Sequence, residues 1–318
     1  MSENIEVLNA GDSRLAPTLG ESQKGIQDRT NLHSTPGFYS RAWRKLRRDK
    51  LAMTALIVSA IILVFSFGAP IVALFTGYDY QTGNLRTILQ PIGYENHHLG
   101  TDANGRDILT RLAYGGRISM TVAVLATFYA LAFGATIGSI AGYYGGFIDS
   151  VLMRAVDVII SIPGITLLLL VSVWWQPGPF GLAVVIASLG WTGVSRLVRG
   201  EVLSLRHRDF VDAARVLGAS DRRIIVKHIM PNVLPIVIVW TSLALPGLIL
   251  TEATLSYLGF GVQIPTPSWG NMLDEAKEFY TRSWTYVFIP GAAIYIAALA
   301  FNLLGNGLRD ALDPRLND

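Results

Sequence analysis

The residues of this chain that could do chemistry are concentrated in a basic segment, residues 196–231, between two long apolar stretches. Seven Arg and one Lys lie there against four acidic residues, Glu201, Asp209, Asp212 and Asp221. A cationic, water-facing segment between two apolar stretches is suited to binding another protein rather than to breaking bonds. The pattern therefore predicts a surface that a partner protein binds.

A second group of polar residues lies upstream and has the types that bind metals. It consists of His97, His98, Asp102, Asn104 and Asp107. A calcium-binding loop starting at Asp102 would need a third acidic ligand, and its twelfth position would be Ala113 instead of Glu. Because Asp and Asn side chains also stabilise turns, we expect a structural loop here rather than a metal site.

Other charged positions lie beside or inside apolar stretches. Glu252 directly follows an uncharged run, and an acid at such depth predicts a functional role, here at the outer gate of a translocation path. The alternative is that Glu252 lies at the membrane interface with its carboxylate in water. Arg154 and Asp157 are three residues apart and are expected to pair on one helix surface rather than to form a proton relay.

The residue sets of a catalyst are missing from the sequence. The chain has no cysteine, which excludes disulfides, thiolate metal sites and a cysteine nucleophile. No Ser-His-Asp set or pair of carboxylates is evident, and no Gly-x-x-x-x-Gly-Lys-Ser/Thr phosphate loop occurs. The sequence therefore predicts a non-catalytic chain with no cofactor or metal of its own.

The composition predicts that membrane helices position these residues. Of the 318 residues, 51% are hydrophobic and 15% are charged, with a mean hydropathy of +0.41, whereas soluble domains carry about 25% charged residues. Each block without charge reaches the ~20 apolar residues of a spanning helix. The five blocks are 51–78, 118–148, 158–195, 230–251 and 283–308. Block 158–195 is long enough for two spans with a break at 174–179, so we predict an all-α membrane protein with six transmembrane helices.

The distribution of positive charge predicts the orientation of the spans. Positively charged short loops mark the cytoplasmic side, and the basic segments 37–50 and 196–231 fall on one side when six spans start from a cytoplasmic N-terminus. The loops 79–115 and 256–284 then lie outside. Both chain ends are therefore expected in the cytoplasm.

The two ends of the chain differ in character from the spans. Residues 1–36 are predicted to be a flexible tail, and residues 309–318 a cytoplasmic C-terminal tail. Residues 37–50 are expected to form a basic helix on the membrane surface that contacts anionic lipid. A signal peptide is not expected, because about 50 mostly polar residues precede the first span.

Small and helix-breaking residues predict how the spans pack and bend. Gly134, Gly138 and Gly142 are four residues apart, which forms a smooth strip where another helix can approach closely. Pro163 and Pro246, each followed by Gly, lie inside the predicted third and fifth spans. Such breaks are tolerated where the freed backbone is buried or lines a cavity. We expect these helices to bend along the translocation path.

Within the basic segment, the sequence is typical of a helix, a tight turn and a second helix. Gly218 permits the left-handed backbone that ends the first helix. Ser220 is the predicted N-cap of the second helix, and Asp221 lies at its positive end. Ala213 and Ala214 leave a low surface for a partner. A DNA-binding helix-turn-helix is the alternative, but too little chain separates the segment from the spans, so no nucleic-acid partner is expected.

The same segment resembles the signature loop of ABC importer permeases, which reads Glu-Ala-Ala, three residues, Gly, nine residues, Ile, one residue, Leu-Pro. The matching positions are Asp212-Ala213-Ala214, Gly218, His228 and Met230-Pro231. Three further stretches are similar to the C-type permease subunit of oligopeptide, dipeptide and nickel importers. They are HLGTDANGRD (98–107), LSYLGFGVQIPTPSWG (255–270) and NLLGNGLRDALDP (302–314), with Asn306 where the family usually has Asp.

The resemblance implies an ABC type I importer permease fold for residues 51–308, in a bacterial cytoplasmic membrane. It also implies partners: a second homologous permease, two ABC ATPase subunits that bind ATP and Mg²⁺, and an extracytoplasmic solute-binding protein that delivers peptide. The coupling loop for the ATPases would comprise Val211, Asp212, Ala213, Ala214, Gly218, Ala219, Ser220, Asp221, Arg222 and Pro231. Nickel or another small solute is the alternative substrate. A stand-alone secondary transporter or channel is the alternative class, and it predicts internal repeats or several buried charges.

Overall fold

A computed structural model describes residues 38–175 and 178–312. These residues form helices and connecting loops, with no β-strand beyond two isolated bridges. The predicted all-α class is therefore confirmed. The predicted flexible tail 1–36 lies outside the described residues, as do the last six residues. The chain divides into two units, 1–41 and 42–318, and the first contributes only the start of helix α1 to the described part.

The helices follow one another along the described part of the chain, with two long connections, at residues 77–107 and 258–268. They are α1 (Phe38–Arg48), α2 (Lys50–Phe67), α3 (Ala69–Thr76), α4 (Ile108–Tyr144), α5 (Gly146–Ile160), α6 (Gly164–Trp174), α7 (Pro179–Leu205), α8 (Asp209–Val216), α9 (Asp221–Tyr257), α10 (Trp269–Ala276) and α11 (Trp284–Leu312). Within α9, Ile224–Ile229 is π-helical. The basic segment predicted as a loop from residue 196 thus begins inside α7.

Five helices are long and apolar enough to cross a membrane: α2, α4, α7, α9 and α11. The pair α5 and α6 meets the same test together, but the two helices are bent by 83° at a short break. Pro163 lies at this break as the N-cap of α6, while α9 continues through Pro246. The described residues therefore hold five spans, or six if the bent pair counts as one.

The basic helix α1 lies against the two helices that begin and end the apolar part of the chain. Asp49 caps α2, and its Oδ1 accepts from the backbone N–H groups of Leu51 at 2.9 Å and Ala52 at 3.2 Å. Leu46 of α1 is buried in a cluster with Ala52 of α2 and Leu312 of α11. Residues 309–312, predicted as part of a tail, are therefore the last turn of α11.

The most extensive contact between two spans is that between α4 and α7, and glycines of α4 lie along it. At 37 residues, α4 is about 55 Å long at the usual rise of ~1.5 Å per residue. A Cβ added at Gly134 would lie 2.5 Å from Cβ of Val194, and one at Gly138 would lie 2.5 Å from the carbonyl oxygen of Ser195. One at Gly142 would lie 2.8 Å from Cβ of Val202. The two backbones approach closely because these side chains are absent.

The expected pair of Arg154 with Asp157 is wrong. Asp157 Oδ1 instead accepts from Nη2 of Arg196 on α7 at 2.6 Å. One carboxylate oxygen of Asp149, nearer the start of α5, accepts from Nη2 of Arg199 at 2.6 Å. Because α5 packs along α7, arginines on the neighbouring helix reach these carboxylates, and the pairing within one helix does not form.

Candidate functional site

The α8–α9 segment, residues 209–231, is a helix, a tight turn and a second helix between α7 and the apolar part of α9. Gly218 has a φ of +77°, in the left-handed region that residues with a Cβ rarely adopt. Its N–H donates to the carbonyl of Arg215 at 2.9 Å, and the next N–H, of Ala219, donates to the carbonyl of Ala214 at 3.0 Å. These two bonds form a Schellman motif, which satisfies carbonyls at the end of α8.

The start of α9 differs from the predicted cap. Ser220 has the extended backbone of an N-cap, with φ −68° and ψ 152°, but its side chain accepts no hydrogen bond there. Ser220 is exposed, so its hydroxyl can bond to water instead of to a backbone N–H at the start of α9. The carboxylate of Asp221, in the first turn, supplies the favourable negative charge instead.

The α8–α9 segment is bonded to the far end of α4. The hydroxyl of Tyr143 donates to Oδ1 of Asp221 at 2.7 Å. The guanidinium of Arg215 lies 5.6 Å from the Tyr143 ring centroid and pairs with Asp212 at 2.9 Å. Contact with the Tyr143 hydroxyl and the charge of Asp212 raise the pKa of Arg215. Arg206 donates to the carbonyl oxygen of Gly142 at 3.2 Å, so this end of α4 is held by side chains from both flanks of α8.

The two faces of the α8–α9 segment have opposite character. Val211, Ala214 and Ile224 are buried with valines of α7 and α9. By contrast, Val216 and Leu217 are 87% and 85% exposed. A groove of about 240 Å³ lies beside them, lined by Ala214, Leu217, Gly218, Ala219, Arg223 and His228. The remaining candidates Ala213, Arg222 and Pro231 are also exposed, so this face presents apolar and cationic groups together.

The polar residues near His97 form a structural loop, as the sequence predicts. His97 Nδ1 lies 3.0 Å from Oδ1 of Asp107, and Asp107 caps α4 by accepting from the N–H of Thr110 at 2.8 Å. Asp102 Oδ1 accepts from the N–H groups of Asn104 at 2.8 Å and Arg106 at 2.9 Å. These carboxylates are therefore engaged in holding the loop backbone.

A buried charge cluster joins this loop to α10, and the sequence did not predict it. Arg106 Nε donates to Asp102 Oδ2 at 2.6 Å, and Arg106 Nη2 donates to Glu275 Oε2 at 2.7 Å. Arg111 pairs with Asp102 and, at 2.7 Å, with Glu275 Oε2. The two formal positive and two formal negative charges balance.

Glu252 is fully buried, which contradicts the alternative in which it lies at the membrane interface with its carboxylate in water. Its Oε1 accepts from the Ser256 hydroxyl, one helical turn further along α9, at 2.7 Å. Sequence reasoning also missed Tyr143, which is 78 residues from Asp221. Only its aromatic residue type at the end of an apolar block, typical of a membrane interface, marks it in the sequence.

Two family models match the sequence. One, described as binding-protein-dependent transport system inner membrane component, matches residues 134–318. The other, described as N-terminal TM domain of oligopeptide transport permease C, matches residues 37–91. The first match covers more than half of the chain and includes the whole α8–α9 segment.

Relatives from several bacteria are similar over most of their length. The chain is 41% identical over 275 residues to the oligopeptide transport system permease protein of Haemophilus influenzae, covering 86% of this chain and 88% of that protein. It is 40% identical to the dipeptide transport system permease protein of Alkalihalophilus pseudofirmus, covering 86% and 89%. It is 38% identical to the glutathione transport system permease protein of Escherichia coli, with the same coverage.

Among solved structures, the fold is similar to one chain of an inward-facing methionine ABC transporter. The match has a TM-score of 0.51 at 18% identity and covers 64% of this chain and 96% of that chain. At this identity the likeness concerns the fold alone.

Proposed function

The chain belongs to the family of binding-protein-dependent transport system inner membrane components, and we propose that it is the permease subunit of an ATP-driven ABC importer for peptides. It forms the peptide path across the bacterial cytoplasmic membrane together with a second, homologous permease. The relatives named for oligopeptide and dipeptide transport, about 40% identical over 86% of the chain, support this substrate class.

The α8–α9 segment binds the two ATPase subunits and transmits their movement to the membrane helices. The observation that carries this assignment is the near-complete exposure of Val216 and Leu217 on the turn that Gly218 closes. Exposed apolar side chains that form one patch beside a groove favour a protein contact. ATP and Mg²⁺ are bound and ATP is hydrolysed in the partner subunits, and this chain contributes no catalytic group.

The predicted topology supports this arrangement. Leu46 of the basic α1 and Leu312 in the last turn of α11 are buried in one cluster, which favours the same side of the membrane for both. The excess of Lys and Arg in α1 favours the cytoplasmic side. An extracytoplasmic solute-binding protein delivers peptide on the opposite side, where the loops around residues 77–107 and 258–283 lie.

Co-purification and transport test this proposal. The chain is expressed with its second permease and tagged ATPase subunits, and Leu217→Asp should reduce recovery of the ATPases at least tenfold. Leu85→Asp is the matched control, because Leu85 is 80% exposed in the loop before α4; recovery should be unchanged.

In proteoliposomes with the delivery protein, uptake of a labelled tripeptide should require ATP inside. Uptake that persists without ATP would overturn the importer assignment in favour of a secondary transporter or channel. ATP-dependent uptake of Ni²⁺ without peptide uptake would overturn the peptide assignment.

A further inference from the structure

The buried carboxyl group of Glu252 lies where α4, α9 and α10 meet. Glu252, Ser119 and Ser268 have no exposed surface, and Ser256 is 1% exposed. Oε1 accepts from Ser256, as described above, while Oε2 is buried without a fixed partner. The hydroxyl groups of Ser119 and Ser268 also lie near the carboxyl group, but of the three serines only Ser256 forms a hydrogen bond with it in the described structure. Burial of a carboxyl group costs free energy unless hydrogen bonds compensate for the lost water. We therefore expect the surrounding hydroxyls to donate hydrogen bonds to it.

Each of the three serine hydroxyls already accepts a backbone N–H from the region after α9. Ser256 accepts from Val262 N, Ser119 from Trp269 N and Ser268 from Asn271 N, each at 3.2 Å. The last two donors belong to the first turn of α10, whose N–H groups have no partner within the helix. A serine hydroxyl has one O–H donor besides its acceptor sites. The O–H group of Ser256 is donated to Oε1, and the O–H groups of Ser119 and Ser268 remain available for the same carboxylate.

The start of α10 packs so closely against the membrane helices α4 and α9 that its position relative to them is fixed. A Cβ at Gly270 would lie 2.4 Å from the carbonyl oxygen of Ala253 on α9. The indole Nε1 of Trp269 donates to the carbonyl oxygen of Leu112 on α4 at 2.9 Å. The start of α10 thus touches the backbones of two spans directly, at the same level as the serine cluster.

We propose that Glu252 is the positioning residue of α10. Its carboxylate accepts the O–H groups of the three serines, and each serine in turn holds a backbone N–H of α10 or of the segment before it. The carboxylate sits inside the protein and does not touch substrate. When α4 and α9 move during transport, α10 moves with them because this cluster joins all three.

Single-cysteine labelling tests the proposal, since the chain has no cysteine of its own. The probe is Met272→Cys in α10, at a position 1% exposed. In the assembled complex, Glu252→Gln should make this thiol react with a maleimide at least tenfold faster. The Gln amide nitrogen donates and does not accept, so one hydroxyl loses its acceptor. The matched control is Glu278→Gln, an exposed acid just after α10, which should leave the rate unchanged.

Two further variants distinguish release of α10 alone from unfolding of the whole protein. Ala141→Cys probes a buried site at the other end of α4, and its thiol should stay unreactive in Glu252→Gln. Ser119→Ala should speed labelling of the Met272→Cys thiol severalfold, because the Trp269 N–H loses its acceptor. The proposal is overturned if Glu252→Gln labels like Glu278→Gln, if the thiols at both probe positions react equally fast, or if Ser119→Ala has no effect.

A functional readout rests on the proposed importer function. Glu252→Gln should raise several-fold the concentration of delivery protein that half-maximally stimulates ATP hydrolysis. An unchanged half-maximal concentration would count against the role of Glu252. A wild-type complex that the delivery protein does not stimulate would count against the importer function, while the labelling result would stand by itself.

Discussion

The hydroxyl of Tyr143, at the C-terminal end of α4, donates a 2.7 Å hydrogen bond to the carboxylate of Asp221, in the first turn of α9. Arg215 of α8 lies over the same ring. One aromatic side chain therefore contacts both helices of the α8–α9 segment. Because α4 is an unbroken helix of 37 residues, a movement of this segment acts directly on the full length of one span.

Tyr143→Phe should weaken coupling while leaving insertion intact. Loss of one partly buried hydrogen bond to a carboxylate costs about 1.5 kcal/mol, which corresponds to about a tenfold change in an equilibrium constant. We expect peptide transported per ATP hydrolysed to fall by about that factor. Tyr144→Phe is the control, since Tyr144 is exposed and its ring only contacts that of Tyr143 edge-on. Equal coupling in the two variants would show that the hydroxyl of Tyr143 has no role.

Gly218→Ala should also uncouple transport from ATP hydrolysis. There is space for the added methyl group, with nothing within 4 Å, but the φ of +77° disfavours any residue with a Cβ by about 1 kcal/mol. Gly200→Ala is the matched control, because the added Cβ also has no atom within 4 Å and the φ of Gly200 is not positive. Uptake and ATPase rates of both variants are compared in one preparation. If Gly200→Ala uncouples as strongly, the left-handed turn is not the cause.

Local patterns in the sequence predict the helices and the turn but not the contacts between them. Blocks without charge predict spans because lipid excludes charge, and Gly218 predicts a turn because few residues adopt positive φ. The 83° bend at Pro163 depends on packing, and Pro246 in α9 shows that a Pro-Gly pair alone does not end a helix. The register of small residues is more informative, since it predicts the strip of α4, including Gly138, that another helix contacts, and the structure shows that this helix is α7.

Gly138→Ala should destabilise the protein, because the new Cβ would lie 2.5 Å from the carbonyl oxygen of Ser195. Backbone atoms cannot move aside as a flexible side chain can, and overpacking typically costs about 1–3 kcal/mol. Thermal unfolding of the purified complex should therefore occur at a lower temperature. Gly247→Ala in α9, where the Cβ meets nothing within 4 Å, should unfold like the wild type. A wild-type melting temperature for Gly138→Ala would mean that α4 and α7 separate easily at this point.

The side chains that sequence reasoning missed pair across long stretches of chain. Glu275 and Arg111 are 164 residues apart, and Asp157 pairs with α7 rather than with its own helix. Neither partner carries a local signature, because the pairs exist only once the helices pack. The sequence identifies Glu252 as an acid that is costly to bury, but it does not predict which side chains surround the carboxyl group.

Glu275→Gln should destabilise the charge cluster between the loop before α4 and α10. The variant leaves two arginines with one carboxylate at a site where Arg111 is 1% exposed. Breaking a buried ion pair from one side costs about 3–5 kcal/mol, which lowers the melting temperature of a protein this size by about 6 °C or more. Glu278→Gln, an exposed neighbour, should change it little.

The double variant Arg111→Met with Glu275→Gln gives the sharper result. It restores charge balance, because the pair of Arg106 with Asp102 at 2.6 Å remains, and an apolar side chain replaces the buried guanidinium. Replacing both partners of a buried pair by uncharged groups is often nearly neutral, so this variant should melt above Glu275→Gln alone. If the two substitutions lower the melting temperature additively, Arg111 and Glu275 do not interact as their 2.7 Å separation indicates.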